Sequence, residues 1–264
     1  MSVNGIDLQK LVQNEDFPRS AKYDADWVVE NEMGPNVLWL TEALCEVMAL
    51  QPGMRVLDMG CGRAMSSIFL AKEYGVEVWA TDLWINATDN WERIRQAGVE
   101  DRVFPIHAEA RALPYADEFF DAVVSLDSYH YYGTDVHYLE YHMLKFLKRR
   151  GRIGIILPAS PQEVPHPLPA HLDEKWYWVN SVDWWRRQWE RYPDLDLERA
   201  EPLPGGWDLW VRWYEILQAL GRAKRPDDLA DELQDLRADG GQYLSFVRMV
   251  GRRSADGEEG GVRP

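Results

Sequence analysis

The sequence predicts an α/β domain built on a doubly wound sheet, and three observations carry that prediction. Apolar runs of strand length alternate with helix-length segments from residue 55 to residue 157, the order that βαβ units require. The first run, Arg55-Val-Leu-Asp58, opens into the glycine turn Met59-Gly60-Cys61-Gly62, tight enough for backbone to approach a ligand closely. The second run, Val76-Glu-Val-Trp-Ala-Thr-Asp82, ends in an acid 24 residues after Asp58. An acid so placed can hydrogen-bond ribose hydroxyls, which makes this segment a nucleoside-binding half of the sheet.

Each further element has its own signal. Ala64 to Gly75 reads as a helix closed by a C-terminal glycine. Asp101-Arg-Val-Phe-Pro-Ile-His107 is a third strand and Phe119-Phe-Asp-Ala-Val-Val-Ser125 a fourth, whose carboxyl end is where ligands sit in open α/β sheets. A helix is expected from about Asp135 to Arg150, capped by Thr134 or Asp135 and stopped by Gly151 after a basic last turn. Ile153 to Leu157 is a fifth strand, ended by Pro158. The proline-stiffened stretch from Pro158 to His171 is then expected to cross over the ligand mouth or to serve as a spacer. Near the start, the stretch from Tyr23 to Trp39 leads into a helix running to about Leu50, and residues 226–239 form an acidic amphipathic segment.

Composition removes several function classes. A formal charge of −15 argues against nucleic acid, because phosphate contacts need a basic surface. No stretch approaches an uncharged membrane span, so no membrane partner is expected. The N-terminus lacks the basic and apolar regions of a signal peptide. Only Cys45 and Cys61 occur, and Cys61 lies inside the glycine turn, which points to free thiols and a cytoplasmic setting. His137 and His142 fall five residues apart, on different faces of a helix, so no metal is expected.

The glycine turn also narrows the ligand. Counting from Gly60, the third small position of a dinucleotide fingerprint is Met65, which weakens a nicotinamide reading. The phosphate loop of triphosphate-binding proteins is missing from the sequence. The segment resembles instead motif I of the class I S-adenosylmethionine-dependent methyltransferases, D/E-x-G-x-G-x-G. Asp58, Gly60 and Gly62 match, and Ala64 replaces the last glycine. Ala108-Glu109-Ala110, followed by Leu113-Pro-Tyr115, is similar to a stretch found in many small-molecule members. The resemblance is firm over residues 36–160 and extends beyond them only by the order of elements. No N-P-P-Y or D-P-P-Y box follows the fourth strand, which speaks against DNA amino-methylation.

Several expectations follow from that resemblance. The fold becomes a Rossmann-like, seven-stranded, mostly parallel sheet with an antiparallel last strand and an aromatic-rich helical cap near the C-terminal strands. The cofactor is S-adenosyl-L-methionine, bound by Asp58, Gly60, Cys61, Gly62, Asp82, Leu83, Trp84, Glu109, Ala110 and Ser125. Asp58 would face the cationic methionine end, and Glu109 would receive the adenine amino group. By analogy, Tyr23, Met33 and Gly34 belong to a lid over residues 1–35. The binding core is 36–160, the remaining sheet with its cap is 161–250, and residues 251–264 form a disordered tail.

Eight of the thirteen tryptophans lie between Trp176 and Trp213. A helix capped by Ser181 carries Trp185 and Trp189 on one face, and a second helix from Trp207 to Leu220 carries Trp210 and Trp213. Aromatic rings at helical spacing are core more often than ligand box. Their density nevertheless predicts two adjacent aromatic helices forming a lid that excludes water and holds an amine or a flat apolar acceptor. After the fourth strand come the catalytic candidates His130, Asp127 and Tyr129; His130 is the first choice for a base, since imidazole takes a proton near neutral pH. The function expected is methyl transfer to N or O of a small-molecule acceptor. The alternatives are C-methylation of an isoprenoid or aromatic ring, with Asp127 removing the proton, and a non-catalytic cofactor-binding regulator. A homodimer is left open.

Overall fold

The computed structural model describes residues 2–3 and 6–255 of the chain. Seven strands make one sheet: β1 Arg55–Met59, β2 Glu77–Asp82, β3 Val103–His107, β4 Phe120–Leu126, β5 Leu147–Ala159, β6 Leu195–Pro202 and β7 Ser245–Arg253. Their spatial order is β3-β2-β1-β4-β5-β7-β6. All neighbours pair in parallel except β7, which runs antiparallel to both β5 and β6. Strand order therefore reverses between β1 and β4, and the crevice beyond their carboxyl ends is the natural ligand position of such a sheet.

Eight α-helices accompany the sheet among the described residues: α1 Leu8–Val12, α2 Ala25–Glu30, α3 Val37–Met48, α4 Met65–Tyr74, α5 Ala87–Ala97, α6 Val182–Glu190, α7 Gly206–Leu220 and α8 Pro226–Asp239. Local chemistry sets their ends. Asn36 Oδ1 accepts from the Leu38 and Trp39 amides at the start of α3, and Ser181 Oγ accepts from the Trp184 amide at the start of α6. Gly75, Gly98, Gly221 and Gly240 close α4, α5, α7 and α8 in the left-handed conformation.

Strand periodicity divides the interior into two cores. Val56, Val78, Ala122, Ile156 and Phe246 face a layer built from α3, α4, α5, α7 and α8. Leu57, Val123, Ile155 and Val247 face the other side, against α6 and the segment that follows β4.

The structure corrects three expectations. The helix from Asp135 to Arg150 is absent; a π-helical turn over Leu139–Met143 and a 3₁₀ turn over Leu144–Phe146 stand there, and β5 begins at Leu147. The basic run is strand, because its charges are answered from afar: Lys148 bonds Asp121 at 2.6 Å, and Arg149 bonds Asp194. The crossover after β5 does not cover the carboxyl ends of β1, β2 and β4, so of its two expected roles only the spacer stands; its end is tied to α8, where His171 Nε2 meets Asp239 Oδ1 at 3.1 Å. At the C-terminus β7 continues to Arg253, three residues into the expected tail. The tail beyond residue 255 lies outside the described residues.

Candidate active site

A cavity of about 250 Å³ opens at the carboxyl ends of β1, β2 and β4. Its floor is the turn after β1. Gly60 and Gly62 have φ of +73° and +53°, a region L side chains rarely adopt. Asp82, at the tip of β2, ties this turn together: Oδ2 accepts from the Gly62 amide at 2.8 Å, while Oδ1 accepts from the amides of Trp84 (2.7 Å) and Ile85 (2.9 Å). Leu83, Trp84, Glu109 and Ala110 continue one wall. Glu109 receives the Arg111 amide at 2.7 Å, and His107 Nε2 braces the Leu83 carbonyl at 2.8 Å.

Asp58 is fully buried and does not line the cavity. Its Oδ2 accepts from Ser66 Oγ and Ser67 Oγ, each at 2.6 Å, and its Oδ1 has no partner. Burial pushes its pKa up to about 6 despite the two hydroxyls. Ser125 is also buried behind the wall, bonded to the Tyr132 hydroxyl at 2.9 Å. The Cys61 thiol lies beside the turn, and burial raises its pKa well above the ordinary value.

The segment after β4 supplies the far wall, with Asp127, Ser128, Tyr131 and Tyr132. Asp127 sits at φ +51°, a strained setting for any residue with a side chain, though less so for Asp than for most. Burial, reinforced by the charge of Glu232, pushes its pKa up to about 8. The other two catalytic candidates fall outside the lining. Tyr129 is buried between Trp185 and Trp189, at ring distances of 5.7 and 6.0 Å. His130 stacks on Trp178 at 4.9 Å and lies tilted against the Tyr131 ring at 4.1 Å; its Nδ1 is unpartnered, and burial lowers its pKa to about 4.

The loop between α2 and α3 closes the top with Glu32, Met33, Gly34, Pro35 and Asn36. A Cβ on Gly62 would meet Met33 Sδ at 2.9 Å, and one on Gly34 would meet Asp127 Oδ2 at 2.9 Å. Trp213 Nε1 holds the Gly34 carbonyl at 2.9 Å. Of the two lid residues named with Tyr23, both line the cavity; Tyr23 itself faces Phe69 at 5.5 Å, behind the site. Glu32, Arg63 and Arg111 also line the cavity without having been legible. The one signal for Glu32 was its place just before Met33-Gly34.

The two aromatic helices do not converge. Trp185 and Trp189 belong to the core on one side of the sheet, and Trp210 and Trp213 to the core on the other. From the whole aromatic cluster only Trp213 reaches the first cavity, and Tyr214 reaches a second. This second cavity, about 370 Å³, shares Glu32, Met33, Gly34, Arg63, Trp84 and Tyr131 with the first and continues between α7 and α8.

Residues 56–151 match the family described as a methyltransferase domain. The chain is 33% identical over 117 residues to the methyltransferase GfsG of Streptomyces halstedii, covering 44% of this chain and 42% of that protein. It is 32% identical over 126 residues to the 27-O-demethylrifamycin SV methyltransferase of Amycolatopsis mediterranei, covering 46% of each. The aligned segment thus spans less than half the length of these curated relatives. In structure, geranyl diphosphate C-methyltransferase from Streptomyces coelicolor A3(2) superposes with a TM-score of 0.64 at 18% identity, over 81% of this chain and 78% of that one. That likeness carries the fold alone. No helix among the described residues is long and apolar enough to cross a membrane.

Proposed function

We propose that the chain is an S-adenosylmethionine-dependent methyltransferase acting on a nitrogen or oxygen of a small-molecule acceptor. One observation carries this reading: a single cavity at the switch point of the sheet brings Gly60, Gly62, Asp82, Trp84, Glu109 and Asp127 to one surface. The lining suits the cofactor. Gly62 and Gly34 carry no side chain, which lets Met33 and Asp127 close directly over their backbones at the cavity. Asp82 Oδ2, which accepts a single amide, keeps a lone pair for a ribose hydroxyl at the tip of β2, and Asp127 places a carboxyl group in the lining, where a cationic methionine end would favour its ionised form.

S-adenosylmethionine, when bound, supplies a methyl group on a sulfonium, and in-line alignment with the nucleophile provides most of the rate. The chain's residues then have three tasks. The glycine turn and Asp82 fix the nucleoside. Trp84, Tyr131 and the Met33 loop exclude water. Asp127 accepts the acceptor's proton; with a pKa raised to about 8 and a place in the lining, it is the better base. His130 stays neutral, but its basicity is low and its ring is stacked away from the cavity. It becomes a positioning residue behind Tyr131.

An open cavity at the end of β4 argues against a non-catalytic regulator. C-methylation through a carbocation would use an extended aromatic wall, and the split of the tryptophans between two cores leaves Trp84, Tyr131, Tyr132 and Trp213 as the aromatic residues at the cavity. Calorimetry tests the reading directly. S-adenosylhomocysteine should bind and NAD should not; the reverse result overturns the assignment.

A further inference from the structure

Trp84, Tyr131, His130 and Trp178 form one row at the mouth of the site, each ring centroid within 5.1 Å of the next. We propose that this row is an outer docking platform for the methyl acceptor: an uncharged aromatic ring system lies along it, while the acceptor's nitrogen or oxygen reaches past Trp84 and Tyr131 into the cavity. The inference rests on the assignment of that cavity to S-adenosylmethionine.

Three separate connections build the row. Trp84 follows β2, His130 and Tyr131 follow β4, and Trp178 stands just before α6, after the crossover that leaves β5. Trp84 and Tyr131 line the cavity, so the row is continuous with the site, whereas His130 and Trp178 lie outside both cavities. Backbone contacts fix the rings in advance. Asp82 Oδ1 accepts from the Trp84 amide at 2.7 Å, the Ser128 carbonyl from the Tyr131 amide at 3.0 Å, and the Trp178 carbonyl from Asn180 Nδ2 at 3.1 Å. A surface ordered beforehand loses little freedom when a guest arrives. Trp178 is 40% exposed, and Leu83 and Met33 are exposed beside Trp84 at the same mouth. Single exposed apolar side chains need no explanation, but a contiguous group of them marks a binding surface.

The geometry also selects the guest. The His130 ring stacks on Trp178 at 27° and lies against Tyr131 at 39°, so these rings turn their edges outward. Ring edges carry the positive side of the aromatic quadrupole and attract the negative face of another ring. The row itself is uncharged near neutral pH, since burial lowers the His130 pKa to about 4. A net charge of −15 repels anionic guests such as an acidic lipid surface, and a second copy of the chain would bring the same charge to the contact.

Naphthol and decahydronaphthol share a skeleton and differ in aromaticity; burial of area alone would hold the saturated alcohol at least as well. Their affinities are measured by NMR titration near neutral pH with saturating S-adenosylhomocysteine. Naphthol should bind at least about fivefold more tightly, the scale of one aromatic pair beyond its area. Trp178→Leu keeps apolar volume and removes the ring. It should reduce the preference to about twofold or less, with S-adenosylhomocysteine affinity and the circular dichroism spectrum unchanged. Trp84→Leu, at the other end of the row, should give the same loss of preference. Equal or tighter binding of decahydronaphthol, binding of neither probe, or a preference that survives both substitutions overturns the platform. So does self-association, or co-sedimentation with phosphatidylcholine vesicles, that Trp178→Leu abolishes, because the row would then face another copy or a membrane. Failure of S-adenosylhomocysteine to bind would instead overturn the cofactor assignment, on which the role of the row rests.

Discussion

Gly60 and Ser128 touch across the floor of the site: a Cβ on Gly60 would stand 1.8 Å from Ser128 Oγ. The turn after β1 and the segment after β4 are thereby held in one arrangement. The Tyr132 hydroxyl fastens it, donating to the Met59 carbonyl at 3.2 Å and lying 2.9 Å from Ser125 Oγ. Asp127 stands next to Ser128, so the same contact fixes the proposed base against the proposed cofactor turn.

Gly60→Ala should therefore disturb both sides of the site. Its positive φ alone costs roughly 1–2 kcal/mol for an L residue, and the clash adds to this. We expect a loss of about 2 kcal/mol or more in stability, read from urea midpoints, together with weaker S-adenosylhomocysteine binding. Ser128→Gly placed in the same chain should recover part of the loss, because it removes the atom in the way. A double variant no better than Gly60→Ala would show that backbone strain, and not this contact, is the cause.

The parts of the site that could be read in the sequence are those encoded within a few residues. Gly60 to Gly62 and Asp82 announce a turn and a strand tip, and both stand where they were expected. The parts that could not be read depend on distant partners. Lys148 and Arg149 resemble a basic helix end until Asp121 and Asp194 are seen opposite them. Trp185 and Trp213 look alike in a helical pattern, yet the helix positions send one to each side of the sheet. Glu32 and Arg63 enter the cavity only because α2 and its loop fold over the glycine turn. No spacing in the sequence marks that closure.

Asp58 makes a prediction about stability. Its pKa in the folded chain is about 6, above the ordinary carboxylate value. The native state therefore holds more protons than the unfolded state between about pH 4 and pH 6, and stability falls as pH rises through that window. The total is on the order of 3 kcal/mol. Asp58→Asn keeps an oxygen for Ser66 and Ser67 and should remove this component. Urea midpoints from pH 4 to 7 should show the variant gaining on the parent as pH rises. Parallel curves would contradict the assigned burial cost.

Asp127 and His130 are separated by their pH signatures. If Asp127 accepts the proton, kcat/KM should rise with pH and reach half its plateau near pH 8, the value set by burial and by Glu232. Asp127→Asn should lower kcat by about 10²–10⁴. His130→Phe should leave that profile in place. Its own effect should be on stability: the folded pKa of about 4 lies below the ordinary histidine value, so His130 costs stability as pH falls from about 6.5 toward 4, and the substitution should reduce this acid sensitivity. A pH profile that flattens in His130→Phe would return the base to the imidazole.

Trp84 and Trp185 should behave as opposites. Trp185 is 1% exposed and packs on Tyr129 and Trp184 in the core away from the cavity, so Trp185→Ala leaves a large void. A loss of about 3–5 kcal/mol is expected, with cofactor binding falling only as the fold is lost. Trp84 is 63% exposed and meets Tyr131, itself 60% exposed, at the junction of the two cavities. So much exposed aromatic surface gives little to stability, and Trp84→Ala should change the melting temperature hardly at all. It should instead raise KM for the acceptor and admit water between the two cavities. Thermal melts and acceptor titrations on the two variants decide the matter. If Trp84→Ala melts early with its acceptor KM unchanged, the ring is part of the packing, and the junction between the cavities is not where the acceptor passes.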